Sequence, residues 1–511
     1  MSANSTPSSG RGMLMSEFGQ NPSGSSFKVR AMNLDPDTCY QTLLSRDRRF
    51  DGWFFVAVSS TGIYCRVVCP VRPPKPQNCS FFPTSAAAEK AGFRPCMRCR
   101  PELAPGNGLL DASSRLAKAT ASLISDGFLN EATLQDLANR VGVTERHLRR
   151  IFATEYGVSM VEFAQTQRLL LAKRLLTDTA LPLATVAFTA GFGSVRRFND
   201  LFLKRYGFNP LRLRKGVSLP VSENLSFLLG YRPPFSWSGI LDFLLQRQIS
   251  GVEHLVAEVY SRTVEIEHSK GRIAAWVSVK NVPERHSIEA TVPMTLAPVV
   301  GQVLGRINRL FDLGARPDLI DAQLGDLAAE LPGMRVPGTF DGFEIAVRAV
   351  VGQQISVVHA QAILSRIAAR YGTAIADAPD GLVTTFPSAA TLAQLPTPAL
   401  VSVGITSIRA EAIIAIAQEV SARRIVLEPM APLEETLSML RKIRGVGEWT
   451  VQYIAMRALA WPNAFPDGDA VLKRQLVQPD SSKLIRHAAR WEPWRAYATL
   501  HVWRQSEESR K

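Results

Sequence analysis

The sequence predicts a multidomain α+β protein, and three observations carry that prediction. The chain has 511 residues, enough for three or four domains at roughly 100–200 residues each. Its 46% of hydrophobic residues against 20% charged can fill several separate cores. The local pattern also changes along the chain, from paired cysteines to helical periodicity, then to strand alternation and back to helices. We therefore expect a small zinc-binding α/β domain, an all-α double helix-turn-helix domain, a sheet-rich subdomain and an all-α helix-hairpin-helix domain.

The expected boundaries follow changes in composition. They place a disordered tail at 1–26, the zinc-binding domain at 27–106, the helix-turn-helix domain at 107–216, the sheet-rich subdomain at 222–295 and the helix-hairpin-helix domain at 296–506. The tail is rich in Ser and Gly and lacks the features of a secretory signal. No stretch reaches the roughly 18 uninterrupted apolar residues of a membrane helix. We expect a cytoplasmic protein without membrane contacts.

Positive charge is concentrated in the first part of the chain. The 59 Lys and Arg against 45 Asp and Glu give a net charge of +14. Residues 27–106 carry +6 and residues 107–216 carry +7, whereas residues 217–511 carry only +1. Double-stranded DNA is the natural partner of such a basic surface.

Four of the six cysteines form two short-spaced pairs. Cys65 and Cys69 are separated by three residues and Cys96 and Cys99 by two, with 26 residues between the pairs. This spacing lets four thiolates converge on one tetrahedral zinc ion. The alternative is a pair of disulfides or inert thiols, which a reducing cytoplasm disfavours. We expect one Zn²⁺ ion bound by these four residues.

The charge of this site bears on its chemistry. A zinc ion with four thiolates has a net charge of about −2, and its sulfur atoms remain nucleophilic. Basic residues near the cysteines are expected to offset this charge and to let the site approach a phosphate backbone: Arg66, Arg72, Lys75, Arg94, Arg98 and Arg100. The two remaining cysteines, Cys39 and Cys79, are expected to be buried core thiols.

The residues around the cysteines resemble a known family. The runs Asp51–Trp53, Thr61–Arg66 and Ala91–Cys99 closely resemble the N-terminal domain of the bacterial Ada adaptive-response regulators. The resemblance implies that Cys65 takes a methyl group from a DNA methylphosphotriester in a stoichiometric reaction. Methylation would turn a thiolate into a neutral thioether and weaken repulsion between the site and DNA phosphate. A zinc module with a purely structural role is the rival interpretation.

Two helix-turn-helix units follow. Thr144 comes after the turn Val141–Val143, and Ser194 comes after the turn Gly191–Gly193, so each is placed to cap a recognition helix. Between them, residues 160–177 predict an amphipathic helix about 27 Å long, which can set the recognition helices about 34 Å apart on one DNA face. The candidate DNA contacts are Arg146, Arg149, Arg196, Arg197 and Asn199.

This region resembles a family of DNA readers. Residues 109–214 resemble the AraC-type DNA-binding domain, most specifically at Ala190–Phe192 and from Phe198 to Gly207. The resemblance implies transcription regulation, with RNA polymerase as a further partner. Each arginine alone could equally lie on a solvated helix face.

The second half begins with strand alternation and then turns helical. Strands are expected at Leu225–Leu229, Arg262–Glu267, Ile273–Val279 and Ser287–Val292, with one helix near Ile240–Gln248. Further on, Gly445 and Gly447 stand between two helical patterns within Leu440–Thr450. They permit a tight turn, and the amides of the following helix suit a DNA phosphate. We predict a helix-hairpin-helix here.

The hairpin and the residues after it carry a further resemblance. The matching runs are Phe340–Phe343, Gly352–Ser356, Phe465–Lys473, Arg490–Arg495 and His501–Trp503. Together they resemble the helix-hairpin-helix DNA glycosylases and, within them, the AlkA-type 3-methyladenine DNA glycosylase II, over residues 222–505. The resemblance implies that a damaged nucleotide is flipped out and that the N-glycosidic bond of an alkylated purine is hydrolysed.

The resemblance assigns the catalytic role to Asp469, four residues before Lys473, and leaves Asp467 as a minor alternative. Asp469 is also placed to cap its helix, which does not conflict with catalysis. Trp449 stands where bifunctional relatives carry a lysine, so no Schiff base and no strand cleavage are expected.

Four other residues match positions that handle the flipped base. Trp449, Tyr453 and Trp503 match lesion-pocket aromatics, on whose faces a cationic base can stack, although each alone could be a core residue. Gln354 matches the wedge that fills the space left by that base, and it is polar where an apolar wedge is known. A rival from another class is a regulator whose second half binds DNA without cutting it.

Overall fold

The structure is a computed structural model, and it describes residues 34–106, 115–214, 222–268, 271–429 and 431–508. The tail expected at 1–26 lies outside these ranges, as do residues 107–114 and 215–221 near two of the expected domain boundaries. The predicted fold class is confirmed: helices and sheets alternate by domain in the expected order. Within the described ranges, no helix combines the length and apolar character needed to span a bilayer.

In its described residues, 34–106, the first domain is a four-stranded sheet with two α-helices. Its elements are α1 (Pro36–Ser45), β1 (Phe55–Val58), β2 (Ile63–Arg66), β3 (Cys79–Phe82), α2 (Ser85–Lys90) and β4 (Arg94–Pro95). The strand order is β3-β1-β2-β4, with β4 parallel to β2 and the other pairs antiparallel. Because β4 lies beside β2, the two cysteine pairs are brought to one end of the sheet.

Six α-helices form the described part of the second domain, residues 115–214. They are α3 (Arg115–Ser125), α4 (Leu134–Arg140), α5 (Glu145–Tyr156), α6 (Met160–Asp178), α7 (Leu183–Thr189) and α8 (Val195–Tyr206). The two recognition helices α5 and α8 begin where the sequence predicts, because Thr144 and Ser194 cap them by accepting hydrogen bonds from the amides of His147 and Arg197.

The central helix α6 differs from its prediction. It has the expected length, but it is buried around most of its circumference instead of carrying one apolar stripe. Even Lys173 and Arg174 are buried, because α6 packs against the first domain on one side and against the strand that begins the second half on another.

A five-stranded antiparallel sheet opens the second half. Its elements are β5 (Asn224–Gly230), α9 (Trp237–Leu245), β6 (Glu253–Val256), β7 (Val259–His268), β8 (Gly271–Val282) and β9 (Ser287–Pro293), in the strand order β5-β9-β8-β7-β6. The sequence predicted four of these strands and missed β6. Its first residue, Glu253, looks like a surface residue, but it is buried and paired with Arg348 at 2.6 Å.

The remaining part is helical. Its helices are α10 (Val300–Leu310), α11 (Pro317–Leu324), α12 (Gly342–Val351), α13 (Val357–Tyr371), α14 (Ala389–Ala393), α15 (Thr397–Val401), α16 (Ser407–Ser421), α17 (Leu433–Arg441), α18 (Glu448–Arg457), α19 (Ala470–Gln475), α20 (Ser481–Ala488) and α21 (Arg495–Glu508). The hairpin joins α17 to α18.

The hydrophobic cores do not follow the domain boundaries. Phe198 and Phe202 of α8 belong to the same cluster of buried residues as the sheet and helices of the second half. The first helix-turn-helix unit has its own cluster, which includes Ala86 from α2. The two recognition helices are therefore supported by different parts of the protein.

Candidate zinc centre and candidate active site

The four paired cysteines meet at the end of the first sheet. Cys65 lies on β2, and Cys96 follows β4, which runs beside β2. Cys69 and Cys99 lie in the loops that follow. All four are buried, and their sulfur atoms lie within 4.8 Å of one another. No disulfide joins them.

This donor set fits a zinc ion. Four sulfur atoms at this separation match the tetrahedral, all-cysteine site that structural zinc prefers. The thiols interact closely: Cys69 raises the pKa of Cys65, and Cys65 in turn lowers the pKa of Cys69 to about 7. A bound Zn²⁺ supplies the positive charge that keeps all four sulfur atoms as thiolates. The residues present would hold one zinc ion.

The four sulfur atoms are not equivalent. The amide of Arg66 donates to the sulfur of Cys99, and the amide of Arg98 donates to that of Cys96, each at 3.4 Å. Within the described residues no main-chain amide donates to the Cys65 sulfur. Because such hydrogen bonds withdraw electron density from a thiolate, Cys65 keeps more nucleophilic character than these two neighbours.

Two of the basic residues near the cysteines are held in ion pairs. Arg66, whose amide donates to the Cys99 sulfur, pairs with Asp51, and Arg100 pairs with Asp178 of α6 at 2.8 Å. Arg72, Lys75 and Arg98 are exposed, and Arg94 is half-buried. Cys39 is buried as expected, but Cys79 is only half-buried, since β3 is an edge strand.

The recognition helices present most of the predicted cations to solvent. Arg146, Arg149, Arg196 and Arg197 are exposed, with 94% of the Arg196 side chain accessible. Arg149 also bonds to Glu145 at 2.7 Å along the same helix face. Asn199 differs from the arginines: it is half-buried, and its Oδ1 atom is enclosed. It follows the fully buried Phe198, so the helix turns much of its side chain toward the core.

The hairpin between α17 and α18 uses its two glycines differently. Gly445 has a left-handed backbone (φ = +88°), and a side chain there would press on Ala412 and Ile408. Gly447 has an ordinary φ of −87° and open space around it, and it begins α18. Gly445 therefore makes the turn, and Gly447 leaves the amides at the helix start accessible to a phosphate.

A second loop is tied to this hairpin. The side chain of Gln353 donates to the carbonyl of Gly445 at 2.9 Å and to the Thr450 hydroxyl at 2.8 Å. Arg409 in turn donates to the Gln353 carbonyl. Next to it, Gln354 is exposed with a φ of +54°. The sequence indicates a role for Gln354 but none for Gln353, because only the fold reveals the contacts of Gln353.

Asp469 lies at the start of α19 with its carboxylate enclosed by four donors. Its Oδ1 accepts the amides of Val471 and Leu472, both at 2.9 Å, and the indole N–H of Trp503 at 3.1 Å. Its Oδ2 accepts the indole N–H of Trp449 at 2.9 Å. The residue is 9% exposed. The carboxylate is thus held in one orientation at the edge of the aromatic cluster.

The three predicted pocket aromatics lie together. Trp449 and Tyr453 stack with ring centroids 5.2 Å apart, and Trp503 lies 6.2 Å from Tyr453. Arg457, which no sequence motif indicates, donates to the Tyr453 hydroxyl at 2.9 Å. Burial alone would raise the pKa of Tyr453, but Arg457 and Arg247 outweigh it and lower that pKa. Asp467 lies outside this cluster, and none of its hydrogen bonds reaches an aromatic ring.

Four sequence-family models match the chain in the order of its domains. They are the metal binding domain of Ada at residues 38–102, a helix-turn-helix domain at 137–216, the AlkA N-terminal domain at 226–341 and the HhH-GPD superfamily of base excision DNA repair proteins at 347–495.

Some curated relatives match one part of this chain, and another matches nearly all of it. A probable bifunctional transcriptional activator/DNA repair enzyme AlkA of Mycobacterium tuberculosis is 35% identical over 488 residues, covering 92% of this chain and 97% of its own. The DNA-3-methyladenine glycosylase 2 of Escherichia coli is 33% identical, covering 54% of this chain and 96% of its own. The bifunctional transcriptional activator/DNA repair enzyme AdaA of Bacillus subtilis is 33% identical over 37% of this chain and 87% of its own. The chain therefore belongs to the family of bifunctional transcriptional activator and DNA repair enzymes that join an Ada-type zinc domain and a helix-turn-helix domain to an AlkA-type glycosylase.

Proposed function

We propose that this protein repairs alkylated DNA at two positions, the base and the phosphate backbone, and regulates transcription in response. The observation that carries the base-repair part is the enclosed carboxylate of Asp469 beside Trp449, Tyr453 and Trp503. An alkylated purine of the 3-methyladenine type already carries positive charge and leaves readily. A fixed carboxylate beside the sugar stabilises the oxocarbenium-like transition state.

The proposed base-release reaction is a hydrolysis. The bond between the sugar C1′ and the purine nitrogen breaks, its electron pair leaves with the base, and water adds to C1′ with loss of a proton. Asp469 stabilises the positive sugar and orients the water. Gly445 and Gly447 hold the backbone near the lesion, and Gln354 fills the space of the flipped nucleotide. Trp449 offers no amine, so the enzyme is monofunctional.

The proposed backbone repair uses the zinc centre formed by Cys65, Cys69, Cys96 and Cys99. The Cys65 sulfur attacks the methyl carbon of a methylphosphotriester, a sulfur–carbon bond forms, and the carbon–oxygen bond breaks. The electron pair stays on the phosphate oxygen and restores the diester. Support comes from the amides bonded to Cys96 and Cys99 but not to Cys65. The sulfur is consumed, so each protein reacts once.

The exposed arginines of α5 and α8 support binding of double-stranded DNA by the second domain. Arg146, Arg149, Arg196 and Arg197 are the proposed contacts, and Asn199 would need to turn outward to join them. In this proposal the protein acts as a monomer in the cytoplasm, associated with the nucleoid, and contacts RNA polymerase at its promoters. We also propose that the domains extend over residues 27–106, 107–216, 222–295 and 296–506.

Base release from methylated DNA tests the glycosylase. Wild-type protein should liberate free 3-methyladenine, and Asp469→Asn should lower the rate by at least about a hundredfold, since it removes the negative charge but keeps the shape. Asp467→Asn is the matched variant two residues away. If Asp467→Asn loses release while Asp469→Asn retains it, the assignment is wrong. If wild type releases no base, the regulator-only interpretation holds.

Mass spectrometry tests the methyl acceptor. Zinc-loaded protein incubated with methylphosphotriester DNA should gain one methyl group on the peptide that contains Cys65. The half-exposed Cys79 in the same protein is the internal control, because it lies outside the zinc centre. Methylation of Cys79 with Cys65 unmodified would mean nonspecific alkylation and a structural zinc site.

A further inference from the structure

The helix-turn-helix domain docks on the glycosylase through a close-fitting contact. Asp126, just after α3, meets α10, where it forms an ion pair with Arg309. A side chain at Gly305, one turn before Arg309, would collide with the Asp126 carboxylate. A side chain at Gly301, one turn earlier again, would touch the Asp126 carbonyl and Leu171. A glycine inside a helix costs about 1 kcal/mol relative to alanine. The two glycines on one face of α10 therefore indicate that the sequence favours the close approach of Asp126 over the stability of this helix alone.

A second contact joins the first helix-turn-helix unit to the hairpin element. Arg140, the last residue of α4, pairs with Glu428 at 2.7 Å. Two residues later, the position of a Cβ on Gly142 lies 3.6 Å from the ring of Pro432. Gly142 makes the turn before recognition helix α5, and Pro432 is the N-cap residue of α17, the first helix of the hairpin. The DNA-reading element and the hairpin element therefore abut.

This contact sets the spacing of two predicted DNA-binding elements. The nine residues of α17 span about 14 Å, and the hairpin turn follows at once. The start of α5 and the hairpin glycines are thus separated by no more than about one turn of B-DNA, 34 Å. A single short stretch of duplex is long enough to span this distance.

The helix-turn-helix domain and the glycosylase part differ strongly in net charge. Residues 217–511 carry 30 basic and 29 acidic residues, a net charge of only +1. Residues 107–216 carry +7, and Arg146, Arg149 and Arg150 are exposed on α5. Sequence-independent binding to DNA depends on the number of phosphates that cations neutralise. The glycosylase part is nearly neutral, whereas the docked domain is strongly basic.

We infer that the helix-turn-helix domain serves the glycosylase as an auxiliary DNA-binding surface. It binds the duplex that carries the lesion, next to the hairpin, and supplies most of the sequence-independent affinity for damaged DNA. This role is separate from promoter recognition, and it rests on the proposed glycosylase activity. It requires the Arg140–Glu428 contact to hold the two elements side by side.

The test compares two lesion duplexes without promoter sequence: one of about one helical turn centred on the lesion, which ends about 17 Å beyond it on each side, and one of about four turns. Full-length, zinc-loaded wild type should show a kcat/KM about tenfold or more higher on the long duplex at low salt. Glu428→Lys, which turns the ion pair with Arg140 into a repulsion, should remove this length advantage. The exchanged pair, Arg140→Glu with Glu428→Lys, should restore it.

Glu419→Lys is the matched control. It changes the net charge by the same amount and breaks an ion pair with Arg424 inside the glycosylase, at 2.7 Å, so it should keep the length advantage. Gly305→Leu, which pushes against Asp126, should behave like Glu428→Lys. Base release from the short duplex reports that each variant is folded.

Two results would overturn the inference: a wild type indifferent to duplex length, or a Glu428→Lys variant that matches Glu419→Lys in both length and salt dependence. Failure of the glycosylase proposal is distinct, because it would appear as absence of base release from the short duplex by wild type.

Discussion

The Tyr206 hydroxyl donates a hydrogen bond to the Glu89 carboxylate at 3.3 Å, joining the end of the second recognition helix to the zinc-binding domain. Glu89 also accepts from Tyr64 and Thr166, each at 3.1 Å. Tyr64 precedes Cys65 on β2. One buried carboxylate thus connects the strand that carries the proposed methyl acceptor to α6 and α8.

This carboxylate makes stability depend on pH. Burial raises the pKa of Glu89 from its ordinary value of 4.5 to about 7, against the hydrogen bonds that favour its charge. Its contribution is therefore fully present below pH 4.5 and is lost as pH rises to about 7. We expect the free energy of unfolding of the two joined domains to fall by about 3 kcal/mol across this window.

Denaturant unfolding at several pH values checks this expectation. Glu89→Gln should flatten the curve, because an amide stays neutral throughout. Glu162→Gln is the control: a main-chain hydrogen bond from Ser159 lowers the pKa of Glu162, so its effect has the opposite sign. A Glu89→Gln curve as steep as wild type would contradict the prediction.

Trp503→Phe separates two roles of the pocket aromatics. Phenylalanine keeps an aromatic face but cannot donate to Asp469 Oδ1, which Trp503 does at 3.1 Å. A hydrogen bond to a charged group contributes about 1.5–3 kcal/mol, so kcat should fall about tenfold or more with KM little changed. Single-turnover and steady-state kinetics on lesion DNA measure both.

The matched control for that change is Trp491→Phe. Trp491 is similarly buried but makes no hydrogen bond to Asp469 within the described chain, so kcat should remain near wild type. A rise in KM with unchanged kcat for Trp503→Phe would instead mean that the ring matters through stacking alone.

Local patterns made much of this architecture predictable. Thr144 and Ser194 cap their helices through neighbours three residues away, and the cysteine pairs are close in sequence. Such features depend on short-range geometry, which spacing encodes directly.

Contacts between distant residues were not predictable in this way. Lys173 and Glu102 are 71 positions apart and look like surface charges, yet they are paired and buried. Gln353 resembles any polar loop residue until the fold places the hairpin beside it. The glycine at 305 signals a close approach, but its partner Asp126 lies in another domain. Pairing of this kind arises only from the tertiary packing.

Breaking the buried Lys173–Glu102 pair from one side only should destabilise the protein. The Lys173 ammonium lies 2.6 Å from Glu102 Oε2, and only 1% of the lysine side chain is exposed. Lys173→Met leaves a buried carboxylate whose other partner, Arg100, lies 3.0 Å away. Removing one member of a buried pair costs about 3–5 kcal/mol when the other charge is left uncompensated. Because Arg100 remains beside Glu102, we expect a smaller loss in the free energy of unfolding, about 1–3 kcal/mol.

Two further variants complete this measurement. Lys173→Met with Glu102→Gln should recover part of the loss, because no uncompensated charge remains. Lys90→Met breaks the exposed pair with Glu162 and should cost under about 1 kcal/mol. Equal effects of Lys90→Met and Lys173→Met would show that burial of the pair does not matter.

Removal of the proposed zinc ion should destabilise the first domain. Four sulfur atoms within 4.8 Å form a compact site only if a cation balances their charge. Cys69→Ser, which removes one ligand, should lose stoichiometric zinc and lower the unfolding midpoint of the first domain. Cys79→Ser, outside the site, should keep both. Metal analysis and denaturant unfolding measure both effects, and a Cys69→Ser protein with full zinc content would refute the four-cysteine assignment.

Loss of zinc should also affect α6, because Glu89 and Lys173 join the first domain to this helix. We expect faster amide hydrogen exchange in α6 of the zinc-free protein.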